Sequence, residues 1–266
     1  MAEYNKDGLG NIFFIAVAVC LVCSIIVSGA AVALKPMQVK NKELDQKQNI
    51  LRAAGLLPSD SSVDASGRGV EEIFSEFTPR VVDLVAGQFA DDMDAAAIDP
   101  LRIAKDPAAS RELSGEEDIA TIGRRENLSV VYIKETEDGS LEKLVLPVRG
   151  YGLWGTLFGY LALDGDLQTI SGLGFYDHKE TPGLGGEVDN PRWKSGWVGV
   201  RLYNDSEEAS VALVKSRSAE GSAAAAYEVD ALSGATFTTR GVQNLVNFWT
   251  GQDGFGPFIK NLKAGA

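Results

Sequence analysis

Near the C-terminal end, the run Asp230-Ala231-Leu232-Ser233-Gly234-Ala235-Thr236 puts a hydroxyl at the close of a small-residue turn. An apolar pattern of helical spacing, Val242, Leu245, Val246 and Trp249, begins just after it. A hydroxyl in that setting is open to modification. A group attached there would sit at a helix N-terminus, where free backbone N–H groups and the helix dipole favour an anion such as phosphate. Ser233, Gly234 and Ala235 carry small side chains, so a bulky ligand can approach the backbone. Thr236, Thr238 and Thr239 all stand at the helix entrance. One of them is expected to be the N-cap, and Arg240 adds a cation in the first turn. On local chemistry alone the same residues fit an ordinary capped turn, and any of the three threonines could be the acceptor.

Two further runs have the composition of ligand-facing loops. Asp177-His178-Lys179-Glu180-Thr181-Pro182-Gly183-Leu184-Gly185-Gly186 follows an expected strand and can bring backbone N–H groups to a ring or a phosphate. His178, the only histidine, could donate a proton or be a hydrogen-bonded structural residue. Val148-Arg149-Gly150-Tyr151-Gly152-Leu153-Trp154-Gly155 alternates glycines with aromatics and could form a flat wall or a tight turn. Neither run matches a dinucleotide-binding glycine fingerprint or a P-loop, and no Ser/His/Asp set is present.

The elements that would position these loops follow from periodicity. Residues 128–133 and 143–148 read as strands around Asp138-Gly139, and 156–163 and 167–176 as a second hairpin around Asp164-Gly165-Asp166. Residues 197–202, 211–214 and 225–229 read as further strands. Val70, Ile73, Phe74 and Phe77 suggest a helix closed by Pro79, with a short strand over 80–85; the acidic, alanine-rich stretch 91–117 reads as short helical turns and loop. The fold class expected is α+β, a mainly antiparallel sheet with flanking helices.

Residues 12–34 carry no charge and are long enough to cross a bilayer, with Lys35 and Pro36 expected to end the helix. The run exceeds the apolar core of a cleaved signal peptide, so an uncleaved anchor is expected. The division is then a tail (1–11), an anchor (12–34), a helix and linker (35–68) and a soluble domain (69–266), with the helix of residues 41–54 ended by Gly55. Lys35, Lys40 and Lys42 against Lys6 alone would leave the domain cytoplasmic, a weak signal. The net charge of −12 argues against nucleic acid. Cys20 and Cys23 both lie in the anchor, which excludes a disulfide framework, and one histidine excludes an all-histidine metal site; no metal is expected.

Taken in order, these motifs resemble the C subunits of sodium-translocating NADH:quinone reductases, members of the FMN-binding domain family. Asp230 to Thr236 is similar to the family's flavinylation motif, His178 to Gly185 to its His-x-Glu-Thr-Pro-Gly-Leu-Gly loop, and Pro147 to Trp154 to its Gly-Tyr-Gly-Leu-Trp segment. The resemblance implies FMN joined to Thr236 through a phosphoester by a separate flavin transferase using FAD. It implies cofactor contacts from Ser233, Gly234, Ala235, Glu180, Thr181, Gly183, Leu184, Gly185 and Trp154. It further implies electron relay from NADH toward ubiquinone within a sodium-pumping complex of several subunits in a bacterial inner membrane, with the domain periplasmic. The G subunit of the related Rnf complex shares the anchor, flavin motif and loop; the insertion between Arg80 and Arg125 and the Trp154 segment are closer to the quinone-reductase subunit. An anchored ligand-binding module without redox chemistry is the alternative of a different class.

Overall fold

The charge-free stretch lies in one helix, α1 (Leu9–Ala53), long and apolar enough to cross a membrane. The computed structural model describes residues 8–265, so Lys6 and most of the expected 1–11 tail lie outside the described residues. Contrary to the expectation, α1 does not stop at Lys35 and Pro36. A proline inside a helix forfeits one backbone hydrogen bond, and residues 37–53, which contain neither glycine nor a second proline, continue the helix beyond it. The real end is at Gly55, as expected. Its φ of +72° lets the Leu56 N–H donate back to the Leu51 carbonyl at 2.9 Å, closing the last turn. The chain divides into two units, one up to Asp45 and one from Gln46 onward.

The second unit holds the remaining elements. In chain order they are α2 (Val70–Phe74), β1 (Phe77–Asp83), β2 (Gln88–Phe89), α3 (Pro100–Ile103), β3 (Ser110–Glu112), β4 (Arg124–Glu126), β5 (Leu128–Glu135), β6 (Leu141–Tyr151), β7 (Thr156–Asp164), β8 (Ile170–Asp177), α4 (Pro191–Ser195), β9 (Ala212–Val214), β10 (Glu228–Asp230), α5 (Thr236–Thr250) and α6 (Gly256–Lys263). Six strands form one antiparallel sheet in the order β2-β1-β5-β6-β7-β8. Two small pairs stand apart, β3 with β4 antiparallel and β9 with β10 parallel. The expected α+β class is borne out.

Both faces of the sheet are covered, which is why β5, β6 and β7 read as nearly continuous apolar runs. On one face Val131, Ile133, Leu144, Leu146, Leu161 and Leu163 share a core with Val242, Leu245, Val246 and Trp249 of α5. On the other, Tyr132 packs edge-on to Phe74 of α2 and accepts a hydrogen bond from Gln46 at 2.8 Å, while Ile50 and Leu51 are fully buried. Each fully buried aliphatic side chain contributes about 1.5–3 kcal/mol, so these two layers hold the sheet that carries the functional loops.

Several expected elements differ. The helix at Val70 stops at Phe74, and Pro79 lies inside β1 rather than closing the helix. β2 reaches only Val82 and Asp83, so no strand on that side asks Pro79 for an N–H. Residues 197–202 form no strand: Gly199 turns at φ +84°, and a lone bridge joins Arg201 to Thr169. Residues 225–229 divide between a 3-10 turn and β10. The acidic stretch holds the expected short turns, capped by Asp94 and Asp99; it also holds β3, which pairs with β4 in a hairpin that the sequence pattern does not announce.

A buried ion pair fastens β4 to β6. Arg149 Nη1 donates to Glu126 Oε1 at 2.9 Å, Nη2 lies 2.6 Å from Oε2, and both residues are buried. The Arg149 carbonyl also accepts from Trp249 Nε1 of α5 at 2.7 Å. Arg149→Met strands the Glu126 charge in the interior and is expected to cost about 3–5 kcal/mol, measured as a fall in urea midpoint. A second tie runs through Arg111, which pairs with Glu117 at 2.7 Å and Asp253 at 2.6 Å. The Ser114 N–H, and then Arg111, hold the Glu117 carboxyl down at about 2. A depressed folded-state value means that this contribution is present above the ordinary glutamate range and is lost as pH falls through about 2. Glu117→Gln should therefore lower stability at pH 7 and match the parent chain below pH 2.

Candidate cofactor site

The three motif segments meet because each follows a strand of the second unit. β6 ends at Tyr151 and turns into β7 through residues 152–155, closed by the Gly152 N–H on the Gly155 carbonyl at 2.8 Å. The loop of residues 178–184 leaves the end of β8, and the 231–235 turn joins β10 to α5.

Glu180 ties the three together. Its side chain is buried, at 5% exposure. Oε1 accepts from the Leu153 and Trp154 N–H groups, each at 3.0 Å, and Oε2 accepts from Thr238 Oγ1 at 2.5 Å. The carboxylate therefore holds the aromatic turn on one side and the first turn of α5 on the other. Packing around it is close. A Cβ on Gly152 would lie 2.6 Å from Glu180 Oε1, and one on Gly185 would lie 2.5 Å from Thr238 Oγ1 and 2.6 Å from Glu180 Oε2. Glycine is required at both positions by contact.

The three threonines are not equivalent. Thr238 is fully buried and spent on Glu180. Thr239 is buried, and its hydroxyl accepts from the Leu232 N–H at 3.1 Å. Thr236, the first residue of α5, is exposed. None of them is the N-cap, which corrects the sequence expectation. Ala235 occupies that position, and no side chain accepts from the first-turn N–H groups. The cap is missing because alanine has no side-chain acceptor.

Beside Thr236 opens a cleft of about 590 Å³, lined by Leu213, Lys215, Ser233, Gly234, Arg240 and Gln243 among others. Lys215 and Arg240 are exposed cations. Leu184 lies against the motif, since a Cβ on Gly234 would sit 3.1 Å from Leu184 Cδ2. Leu184, Leu153, Trp154 and Phe237 are exposed apolar side chains on the three converging segments, Trp154 at 63%.

Other expected residues fall as follows. Ser233, Thr181 and Gly183 are exposed, whereas Ala235 and Gly185 are buried. The Thr181 carbonyl closes its own loop, accepting from the Leu184 N–H at 3.1 Å and the Gly186 N–H at 2.9 Å. His178 belongs to the loop's framework: Nε2 lies 2.8 Å from Asp189 Oδ2, and Nδ1 accepts from the Glu180 N–H at 3.2 Å. No group of three or more metal-ligating side chains is found among the described residues. Sequence reasoning missed Lys215 and Trp193, whose Nε1 donates to the Asp230 carbonyl at 2.8 Å and fixes the start of the motif. Neither has a local signature, since each reaches the site from a separate element.

Residues 152–251, which contain all of this geometry but the end of β6, match the FMN-binding domain family. Fold and site thus define a flavin-binding domain. Over 262 residues the chain is 51% identical to the C subunit of the Na(+)-translocating NADH-quinone reductase of Pseudomonas aeruginosa, covering 98% of each chain. It is 41% identical to the C subunit of the same reductase from Yersinia pestis, covering 98% of this chain and 96% of that one. The crystal structure of Shewanella oneidensis NqrC superposes with a TM-score of 0.73 at 36% identity, covering 84% of this chain and 99% of that one. The chain belongs to the family of Na(+)-translocating NADH-quinone reductase C subunits. The resemblance read from the three motifs is borne out.

The contacts at Gly185 yield a test. Gly185→Ala forces the clamp apart and is expected to cost about 1–3 kcal/mol, as overpacking does, seen as a lower thermal midpoint. Gly183→Ala has open space for its Cβ but a φ of +77° that strains an L side chain, so it should lower the midpoint through backbone strain while leaving the Glu180 contacts intact.

Proposed function

We propose that this chain is the membrane-anchored flavoprotein subunit of a sodium-pumping NADH:quinone reductase, carrying FMN through a phosphoester to Thr236 and relaying electrons within the complex. The observation that carries this reading is the state of the three hydroxyls. Thr238 and Thr239 are buried and hydrogen-bonded, and Thr236 alone of the three is exposed beside the cleft. The resemblance favours the same residue.

The surroundings fit the group. A phosphodiester at Thr236 would meet Lys215, Arg240 and uncapped first-turn N–H groups, all of which favour an anion. Ser233 and Gly234 leave room for it, and Leu184 and Trp154 offer apolar surface to an aromatic ring. When bound, FMN supplies one-electron transfer between neighbouring redox centres. The protein's part is to hold the ring, limit water around it and set the local field. A separate flavin transferase attaches the group from FAD, with AMP as the leaving group. The other subunits of the complex supply donor and acceptor. Helix α1 anchors the chain in the bacterial inner membrane, and the family resemblance favours a periplasmic domain over the cytoplasmic placement suggested by Lys35, Lys40 and Lys42.

The decisive experiment is mass mapping of the peptide spanning residues 229–240 after co-expression with a flavin transferase. The expected result is an added FMN on Thr236, yellow colour that survives denaturation, and loss of both in Thr236→Ala. Covalent flavin persisting in Thr236→Ala would overturn the assignment.

A further inference from the structure

The Glu180 carboxylate has a property that its clamping role does not require. It is buried at 5% exposure, and its three donors are the Leu153 N–H, the Trp154 N–H and the Thr238 hydroxyl, all neutral. Among the described residues it forms no ion pair; Lys215 and Arg240 line the cleft beside Thr236, and His178 is turned to Asp189. The other well-buried acid, Glu126, is paired with Arg149. Glu180 is therefore a buried carboxyl group with three hydrogen-bond donors and no cationic partner.

Its position gives the charge of its ionised form a target. The carboxylate sits directly behind the backbone of Leu153 and Trp154, against Gly185, and on the hydroxyl of Thr238, two residues beyond Thr236. It thus backs the apolar surface formed by Leu153, Trp154 and Leu184. Charges act much more strongly through a low-dielectric interior than through water, and a charge near a bound cofactor tunes its electronics. An uncompensated negative charge opposes the arrival of an electron.

We infer that Glu180 is a redox-positioning residue whose buried charge lowers the reduction potential of the flavin, without contacting it through either carboxylate oxygen. The inference rests on the proposed attachment of FMN at Thr236. Hydrogen bonds from three donors hold the carboxylate in one orientation and keep the charge fixed in place.

Glu180→Gln isolates the charge. The amide oxygen can accept from the Leu153 and Trp154 N–H groups, and the amide nitrogen can donate to Thr238, whose hydroxyl is free to rotate and accept. Thr238→Ser is the packing control, since it keeps the hydroxyl that donates to the carboxylate and removes only a methyl group.

The experiment is a spectroelectrochemical titration of the flavinylated full-length chain in detergent at fixed pH, with flavin content determined by mass spectrometry. Glu180→Gln should carry the same covalent flavin content as the parent chain and titrate at a higher potential; Thr238→Ser should titrate where the parent chain does. An unchanged potential in a fully flavinylated Glu180→Gln would overturn the inference, as would an equal rise in Thr238→Ser, which would mark a packing effect. If Glu180→Gln fails to accumulate, Thr238→Val decides: removing a donor from the carboxylate must move the potential, and an unchanged value overturns the inference. Absence of covalent flavin in the parent chain would instead overturn the attachment on which the inference rests.

Discussion

One carboxylate sets the geometry of the site. Glu180 reaches from the loop after β8 to the turn after β6 and to the first turn of α5. Local sequence fixes none of these segments relative to the others. Each is a short connection rich in small residues, a kind of segment that is mobile unless tied down. The clamp converts them into one surface, and the glycines at 152 and 185 are what let it close.

The clamp holds because the elements behind it are rigid. β6 runs in the centre of the sheet, packed by α5 on one face, and its Arg149 is bound to Glu126 of β4 and, through its carbonyl, to Trp249. The C-terminal end of α5 is thereby tied to β6, and its site-bearing first turn meets the turn after that strand through Thr238 and Glu180. The edge of β9 is held to α5 as well, with Gln243 accepting from the Leu213 N–H at 2.8 Å and Asn247 bonding to Val211 on both sides. This places Lys215, which follows β9, at the cleft.

What the sequence disclosed, and what it withheld, divides along physical lines. The two hairpins and α5 were legible because their periodicity is strong and their turns carry Asp-Gly signals. Pro36 and Pro79 misled because the cost of a proline, one lost N–H and, in a helix, a crowded carbonyl one turn back, need not end an element. At each position the surroundings did not need that donor for the element to persist, in a long helix or along an unpaired stretch of edge strand. The apparent strand at 197–202 has apolar side chains at the right spacing, but Gly199 turns the backbone away from extended geometry. At the site, the order of motifs was enough to name the segments that converge. It could not show that Glu180 faces inward, or that Thr238 and Thr239 are already committed, because these depend on contacts 58 and 7 residues apart in sequence.

The burial of two of three neighbouring threonines also bears on the order of events during maturation. In an unfolded chain Thr236, Thr238 and Thr239 are chemically alike, and an enzyme reading the bare peptide would have little to separate these three. In the folded chain, packing has withdrawn Thr238 and Thr239. With Thr236 as the acceptor, a single product emerges most simply if folding comes first and modification second, so that loading of the cofactor also reports that the core behind the site has formed.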